Sequence, residues 1–340
     1  MSRRTTGPLQ GPISLRPYRY CLSLFLVTIL SSISYGASEP PLDGSSHAAD
    51  QPRVNLVPRR RPASDSSKSN IRVDVNVVLI PVTVTDPLGT PVLGLHPESF
   101  RVLEDGIEQP VAHLVSQDAP LSLGFVFDAS KSMESKLDKS RAAIAEIMKT
   151  SIPGDEYSLF SFNDDPKLVS GFTSDPGDIQ NSLMSIQPKG WTALLDAIHL
   201  SVNYMKRAKN TRKALVVLSD GGDNNSRFNQ HEIRELLRES DVTLYAIGIL
   251  GRMVTAGAMK LLGTLAEETG GRLFPVRDVN QLPEAVAKLN AALRDQYMLA
   301  YYPTNQARDG KFRRVQVRLV IPPSSGSLHA SWRYGYYAPY

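Results

Sequence analysis

Five oxygen-bearing residues stand out by type and spacing. Asp128, Ser130 and Ser132 occupy alternate positions just after an apolar run, Thr192 follows Gly190-Trp191, and Asp220 precedes Gly221 after a second apolar run. In an extended or looped segment, residues two apart can aim their side chains at one point. Two carboxylates and three hydroxyls are hard oxygen donors, the set that suits Mg²⁺, with Mn²⁺ and Ca²⁺ as alternatives. Mg²⁺ takes octahedral oxygens at roughly 2.0–2.1 Å and usually keeps some waters. Neutral hydroxyl ligands leave such an ion strongly electrophilic, so a carboxylate from another molecule can fill a vacant position. That is chemistry for binding a partner, and the expectation is that the chain is not an enzyme.

For the three loops to share an ion, the fold must bring them to one edge. Residues 121–127 and 214–218 read as buried strands, and residues 157–162, 242–249 and 272–276 add three more. Helical spacing appears over 134–149, 193–207, 230–239, 256–269 and 281–294. Strands alternating with helices predict a doubly wound, mostly parallel sheet with helices on both faces, and in such sheets ligands sit at the carboxyl ends of the strands. Those ends are where Asp128 and Asp220 fall, and Thr192 stands just before a helix.

The flanks read differently. Residues 73–84 alternate, with Val73, Val75, Val77 and Leu79 on one face and Val82 and Val84 continuing after Pro81. Residues 100–107 predict two strands around a turn at Asp105-Gly106. At the far end, 297–302, 314–321 and 330–334 are strand-like. Neither piece is long enough for a good core alone, so the expectation is a small β-sandwich assembled from 72–118 and 295–340, with the α/β domain, 119–294, inserted between its halves.

The N-terminus carries a basic stretch (Arg3, Arg4, Arg16, Arg19), a short apolar run over 21–30 and small residues ending at Gly36-Ala37. This predicts a secretory leader over 1–36, cleaved after Gly36; the alternative is an uncleaved anchor, which would be the chain's sole membrane association. Residues 37–71 are rich in Pro, Ser, Asp and Arg, with Arg59-Arg60-Arg61 at their centre, and predict a flexible linker. The expected location is outside the cytoplasm: periplasmic, cell-surface or secreted. The single cysteine, Cys21, lies in the leader, so the mature chain has neither a disulfide nor a thiolate metal site.

The formal net charge of +4 divides into +5 from the first 71 residues, with nine bases and four acids, and −1 from the other 269, with 29 bases and 30 acids. A nearly neutral folded part excludes a nucleic-acid footprint. Enzyme signatures are also missing. A haloacid-dehalogenase-type phosphatase needs a carboxylate where this chain has Ser130. The six histidines form no His-Glu-x-x-His pattern, and neither a Gly-x-Ser-x-Gly elbow nor a phosphate-cradling Gly-Lys loop is present.

The spacing Asp128-x-Ser130-x-Ser132, then Thr192, then Asp220-Gly221 resembles the metal-ion-dependent adhesion site of the von Willebrand factor type A (VWA, integrin I-like) family, with all five positions filled in family order. The resemblance spans about residues 119–294. It implies that Ser130, Ser132 and Thr192 contact the metal directly, that Asp128 and Asp220 do so directly or through water, and that the partner is a protein or an acidic glycan. The whole chain also looks like the VWA-related proteins of acidobacteria. Many members carry glycine where this chain has Lys131, whose side chain is expected to point outward. The competing local readings are that Asp128 and Thr192 cap helices and that Asp220 belongs to a turn. Trp191 either lines the site or packs in the core. Two other functions remain open at this level: a structural envelope protein with an unused metal site, and a metal-dependent hydrolase.

Overall fold

The computed structural model describes residues 77–115, 119–220, 222–250, 256–322 and 326–340. The expected leader and linker, Val73 and Val75, and Gly221 lie outside them. The chain enters through β1 (Val78–Thr85), β2 (Phe100–Glu104), β3 (Ile107–Gln109) and β4 (Val111–Val115). The turn between β2 and β3 has Asp105 at φ 48° and Gly106 at φ 87°, the pair of left-handed residues a tight hairpin requires. Val78, Ile80, Val82 and Val84 lie on the inner side of β1, while Val77 and Leu79 are exposed. Val77 and Leu79 thus do not share a face with Val82 and Val84, because β1 pairs with its neighbour in continuous register from Val78 to Val82.

The centre then runs β5 (Leu121–Asp128), α1 (Leu137–Met148), β6 (Glu156–Phe162), β7 (Pro166–Thr173), α2 (Pro176–Met184), α3 (Leu194–Met205), β8 (Arg212–Ser219), α4 (Gln230–Glu239), β9 (Val242–Ile249), α5 (Ala256–Glu268), β10 (Leu273–Val276) and α6 (Leu282–Arg294). The six strands form one sheet in the order β10-β9-β8-β5-β6-β7, parallel throughout except for β7. β5 and β8 are buried along almost their whole length, as parallel strands covered on both faces must be. One apolar layer, including Leu123, Phe125, Ile144 and Leu289, joins α1, α2 and α6 to one face. Another, including Val126, Val217, Ile198 and Leu265, joins α3, α4 and α5 to the opposite face. The fold is the doubly wound α/β arrangement that the alternation of patterns predicts.

Two elements escape the sequence pattern. β7 is an edge strand and largely half-exposed, so it lacks an apolar signature. α2 buries little beyond Ile179 and Leu183. The helix expected from residue 134 opens instead as a 3₁₀ segment, Lys131–Lys136, before α1. Residues 163–165 make the hairpin turn between β6 and β7, with Phe162 paired to Pro166.

The chain returns through β11 (Tyr297–Tyr301), β12 (Phe312–Leu319), β13 (His329–Trp332) and β14 (Gly335–Tyr337). These pair with the first four strands into two antiparallel sheets, β13-β1-β11-β4 and β14-β12-β2-β3. Their shared core holds Ile80, Val82, Phe100, Val102, Tyr297, Leu299, Val315 and Val317. Both halves of the chain contribute to each sheet, so neither half could bury this core alone.

Asp155 ties the base of the parallel sheet together. Its carboxylate accepts hydrogen bonds from Leu121 N (2.8 Å), Ile152 N (2.9 Å) and Arg294 Nη2 (2.5 Å). Burial would raise its pKa, but the Arg294 bond and the two backbone amides outweigh that effect and lower it. A carboxylate held below its unfolded value stabilises the fold above about pH 4, and that contribution is lost as pH falls through the folded pKa. Asp155→Asn is expected to lower the unfolding free energy at pH 7 by about 2 kcal/mol and to flatten the fall in stability below pH 4. Denaturant unfolding at several pH values reads both effects; an unchanged acid limb would rule the linkage out.

Candidate metal centre

β5 and β8 are neighbours, paired in parallel with Phe127 opposite Leu218. The connection leaving β5 runs toward β6, whereas the one leaving β8 runs toward β9, on the other side. This divergence is the topological switch point of a doubly wound sheet, where the loops part and leave a crevice. Asp128 closes β5, and Asp220 follows the last residue of β8.

The side chains meet there through a continuous chain of bonds. Asp128 Oδ1 accepts from Ser130 N at 2.8 Å, and Oδ2 accepts from the Ser219 hydroxyl. The hydroxyls of Ser130 and Ser132 lie 3.1 Å apart, and Ser132 Oγ donates to Asp220 Oδ1 at 2.7 Å. Asp128, Ser130 and Asp220 are buried. Lys136, one turn after Ser132, donates from Nζ to Asp220 Oδ2 and, at 3.2 Å, to the Ser132 carbonyl.

Thr192 reaches this edge through its backbone. Lys131 N donates to Gly190 O at 3.3 Å and Lys189 N to Ala129 O at 2.9 Å, so the 189–192 loop is stitched to the Asp128–Ser132 loop. On its other side, Thr192 N donates to Asn224 Oδ1 (2.8 Å) while Asn224 N donates to Thr192 O (3.0 Å). This reciprocal pair fastens Thr192 to the loop that follows Asp220. The Thr192 side chain is buried. Gly190 has φ 72°, and a Cβ there would collide with the Asp164 carboxylate, which accepts from Trp191 N at 2.8 Å.

The capping alternatives fail on this geometry. Ser130, not Asp128, stands at the N-terminus of the 3₁₀ segment, and its side chain makes no cap bond. Ala193, not Thr192, precedes α3. Asp196 and Asp223 are structural: Asp196 accepts from Arg227 N and Phe228 N, and Asp223 accepts from Leu195 N and Ser226 Oγ. Lys131 is exposed and points outward, as expected. Trp191 is 65% exposed, which removes the core reading for it.

Burial pushes the Asp128 carboxyl up to about 6; bonds from Ser130 and Ser219 pull the other way, and the charge of Asp220 adds to the rise. The charge of Asp220 thus reaches Asp128 across the crevice. Among the described residues no group of three or more His, Cys, Asp or Glu side chains comes together, at this crevice or elsewhere. The donor set here is two carboxylates plus hydroxyls, which fits a hard divalent cation such as Mg²⁺ and does not fit a soft-metal site. Sequence spacing did not single out Lys136, Ser219 or Asn224. The i, i+4 relation of Ser132 and Lys136 was visible, but nothing in it distinguished a site lysine from a solvated one.

Residues 123–222 match the family model of the von Willebrand factor type A domain. The chain is 25% identical over 244 residues to inter-alpha-trypsin inhibitor heavy chain H4 of Bos taurus; the match covers 62% of this chain but only 26% of that protein. Proximal thread matrix protein 1 from the mussel byssus, in a structure with a zinc-occupied MIDAS motif, is 20% identical, with a TM-score of 0.47 over 56% of this chain and 50% of that one. The PilB minor pilin from Streptococcus sanguinis is 14% identical, with a TM-score of 0.44 over 52% and 62%. The acidobacterial likeness finds no support among these relatives.

Gly190→Ala is expected to cost about 1–3 kcal/mol, because it combines a left-handed backbone with a clash against Asp164. Thermal unfolding of the variant measures this. A melting temperature equal to that of the parent would show that the 189–192 loop is not held in this conformation.

Proposed function

Starting from a chain whose residues 123–222 form a von Willebrand factor type A domain, we propose that it is an exported binding or adhesion protein. It engages a carboxylate of a protein or acidic glycan through one divalent cation of the Mg²⁺ type. The observation that carries this reading is the unbroken run of contacts Asp128–Ser130–Ser132–Asp220 across the carboxyl ends of two adjacent parallel strands. Ser130, Ser132 and Thr192 would supply hydroxyl oxygens, and Asp128 and Asp220 the negative charge. When bound, the ion supplies a Lewis-acidic position for an acid brought by the partner. The chain's own residues do the rest. Ser219 and the Ser130 amide fix both oxygens of Asp128, and Asn224 locks the Thr192 backbone. Exposed Trp191, beside Thr192, offers an apolar surface for the partner next to the ion.

Export rests on the leader pattern of residues 1–36. No helix among the described residues is long and apolar enough to cross a membrane. A second reading, a structural protein whose site takes no metal, has one observation in its favour: the Lys136 ammonium already supplies positive charge to Asp220. No contact among the described residues favours a hydrolase.

Asp128→Ala and Thr192→Ala are expected to weaken Mg²⁺-dependent capture of the partner from an envelope extract at least tenfold, with melting temperatures in EDTA close to the parent for Thr192→Ala. Capture by the parent chain that is the same in Mg²⁺ and in EDTA would overturn the reading.

A further inference from the structure

Lys136 is the one basic side chain bonded directly to the candidate centre among the described residues, and the metal-binding reading does not use it. Its ammonium donates to Asp220 Oδ2 and to the Ser132 carbonyl, so it touches one expected carboxylate ligand and the backbone of an expected hydroxyl ligand. Its side chain is only 16% exposed, although lysine is the residue most easily left in water, and the Asp220 side chain is 1% exposed. Lys131 and Lys189, on the same loops, are exposed and make no such contact. The lysine leaves from the last position of the 3₁₀ segment, one turn after Ser132, and that tight segment turns its stem back over the site.

Two buried carboxylates and no cation make an unstable crevice. Like charges buried near each other repel, and more strongly than they would in water. A tethered ammonium offsets part of that repulsion. It also occupies the Asp220 oxygen that a divalent ion would need if it coordinated that side chain directly. The two cations therefore compete for one oxygen, and the divalent ion, which brings twice the charge to two carboxylates, is the stronger competitor.

We infer that Lys136 is a built-in counter-ion of the metal centre: it holds the Asp128–Asp220 crevice together while no metal is bound and swings out to solvent when a divalent cation takes Asp220. This rests on the reading that the site binds such an ion. The consequence is a site that stays assembled in metal-poor surroundings and has a metal affinity set by the work of displacing the lysine.

The test uses the full chain and Mn²⁺ as the probe. Calorimetric titration is expected to show Lys136→Met, which keeps the stem and removes the charge, binding Mn²⁺ about tenfold more tightly than the parent, and the variant is expected to melt at a lower temperature in EDTA. In the parent chain, acetylation of Lys136, read by peptide mass spectrometry, is expected to rise several-fold on saturation with Mn²⁺, while exposed Lys260 stays constant. The acetylation arm needs no variant, so it stands even if Lys136→Met folds poorly. Binding by the Met variant alone would overturn the displacement, because the lysine would then hold Asp220 against the ion. Equal affinities together with unchanged Lys136 reactivity would overturn it and leave the metal site standing. Absence of Mn²⁺ binding by either chain would overturn the metal reading itself, and the counter-ion role with it.

Discussion

Two acidic side chains from different loops are buried at the seam between β5 and β8, and their charge must be balanced. That requirement organises the top of the domain. Asp128 has both oxygens engaged, by Ser130 N and by Ser219. Asp220 has its own shared between Ser132 and Lys136. Removing water from a carboxylate is costly unless it is paired or hydrogen-bonded, and every polar contact in the crevice serves that end. Burial nonetheless pushes the Asp128 carboxyl up to about 6, against the bonds from Ser130 and Ser219.

The rest of the fold can be understood as the means of holding the seam. A central pair of parallel strands buried on both faces is rigid, because each side chain is packed by helices above and below. Loops leaving such strands at a switch point diverge, so the crevice between them opens without breaking sheet bonds. The third loop has no strand of its own at the seam. It is fixed by backbone bonds instead, from Ala129 and Lys131 on one side and Asn224 on the other. Gly190 makes the sharp approach to Asp164 sterically allowed. The two antiparallel sheets sit outside this machinery. Each pairs strands that precede the α/β segment with strands that follow it.

The proposed metal and the observed lysine describe one electrostatic need met in two ways. An ammonium on a flexible stem is a single charge that costs no ligand but cannot contact several oxygens at short range. A hard divalent ion gathers the hydroxyls as well as the acids and leaves a position open. The difference separates a crevice that is merely stable from one that can hold another molecule's carboxylate.

Much of this was legible in the residue order. Alternating apolar runs and helical periods over 121–294 specify the parallel sheet, because strands buried on both faces must be apolar throughout. The positions of Asp128 and Asp220 at the ends of two such runs, and the two-residue spacing to Ser130 and Ser132, already place hard oxygens at a sheet edge. Other features depended on the folded chain. The exposed edge strand β7 and short α2 carry too little buried surface to mark the sequence. The face of β1 that turns inward was decided by continuous pairing with β11, not by the local pattern, since Val77 and Leu79 are as apolar as Ile80. Lys136, Ser219 and Asn224 meet the expected site residues Asp220, Asp128 and Thr192 across 84, 91 and 32 positions of the chain. Residue types announce which groups can bind a cation; which neighbours desolvate, orient and neutralise them is a property of distance in space, and that is settled only when the strands pack.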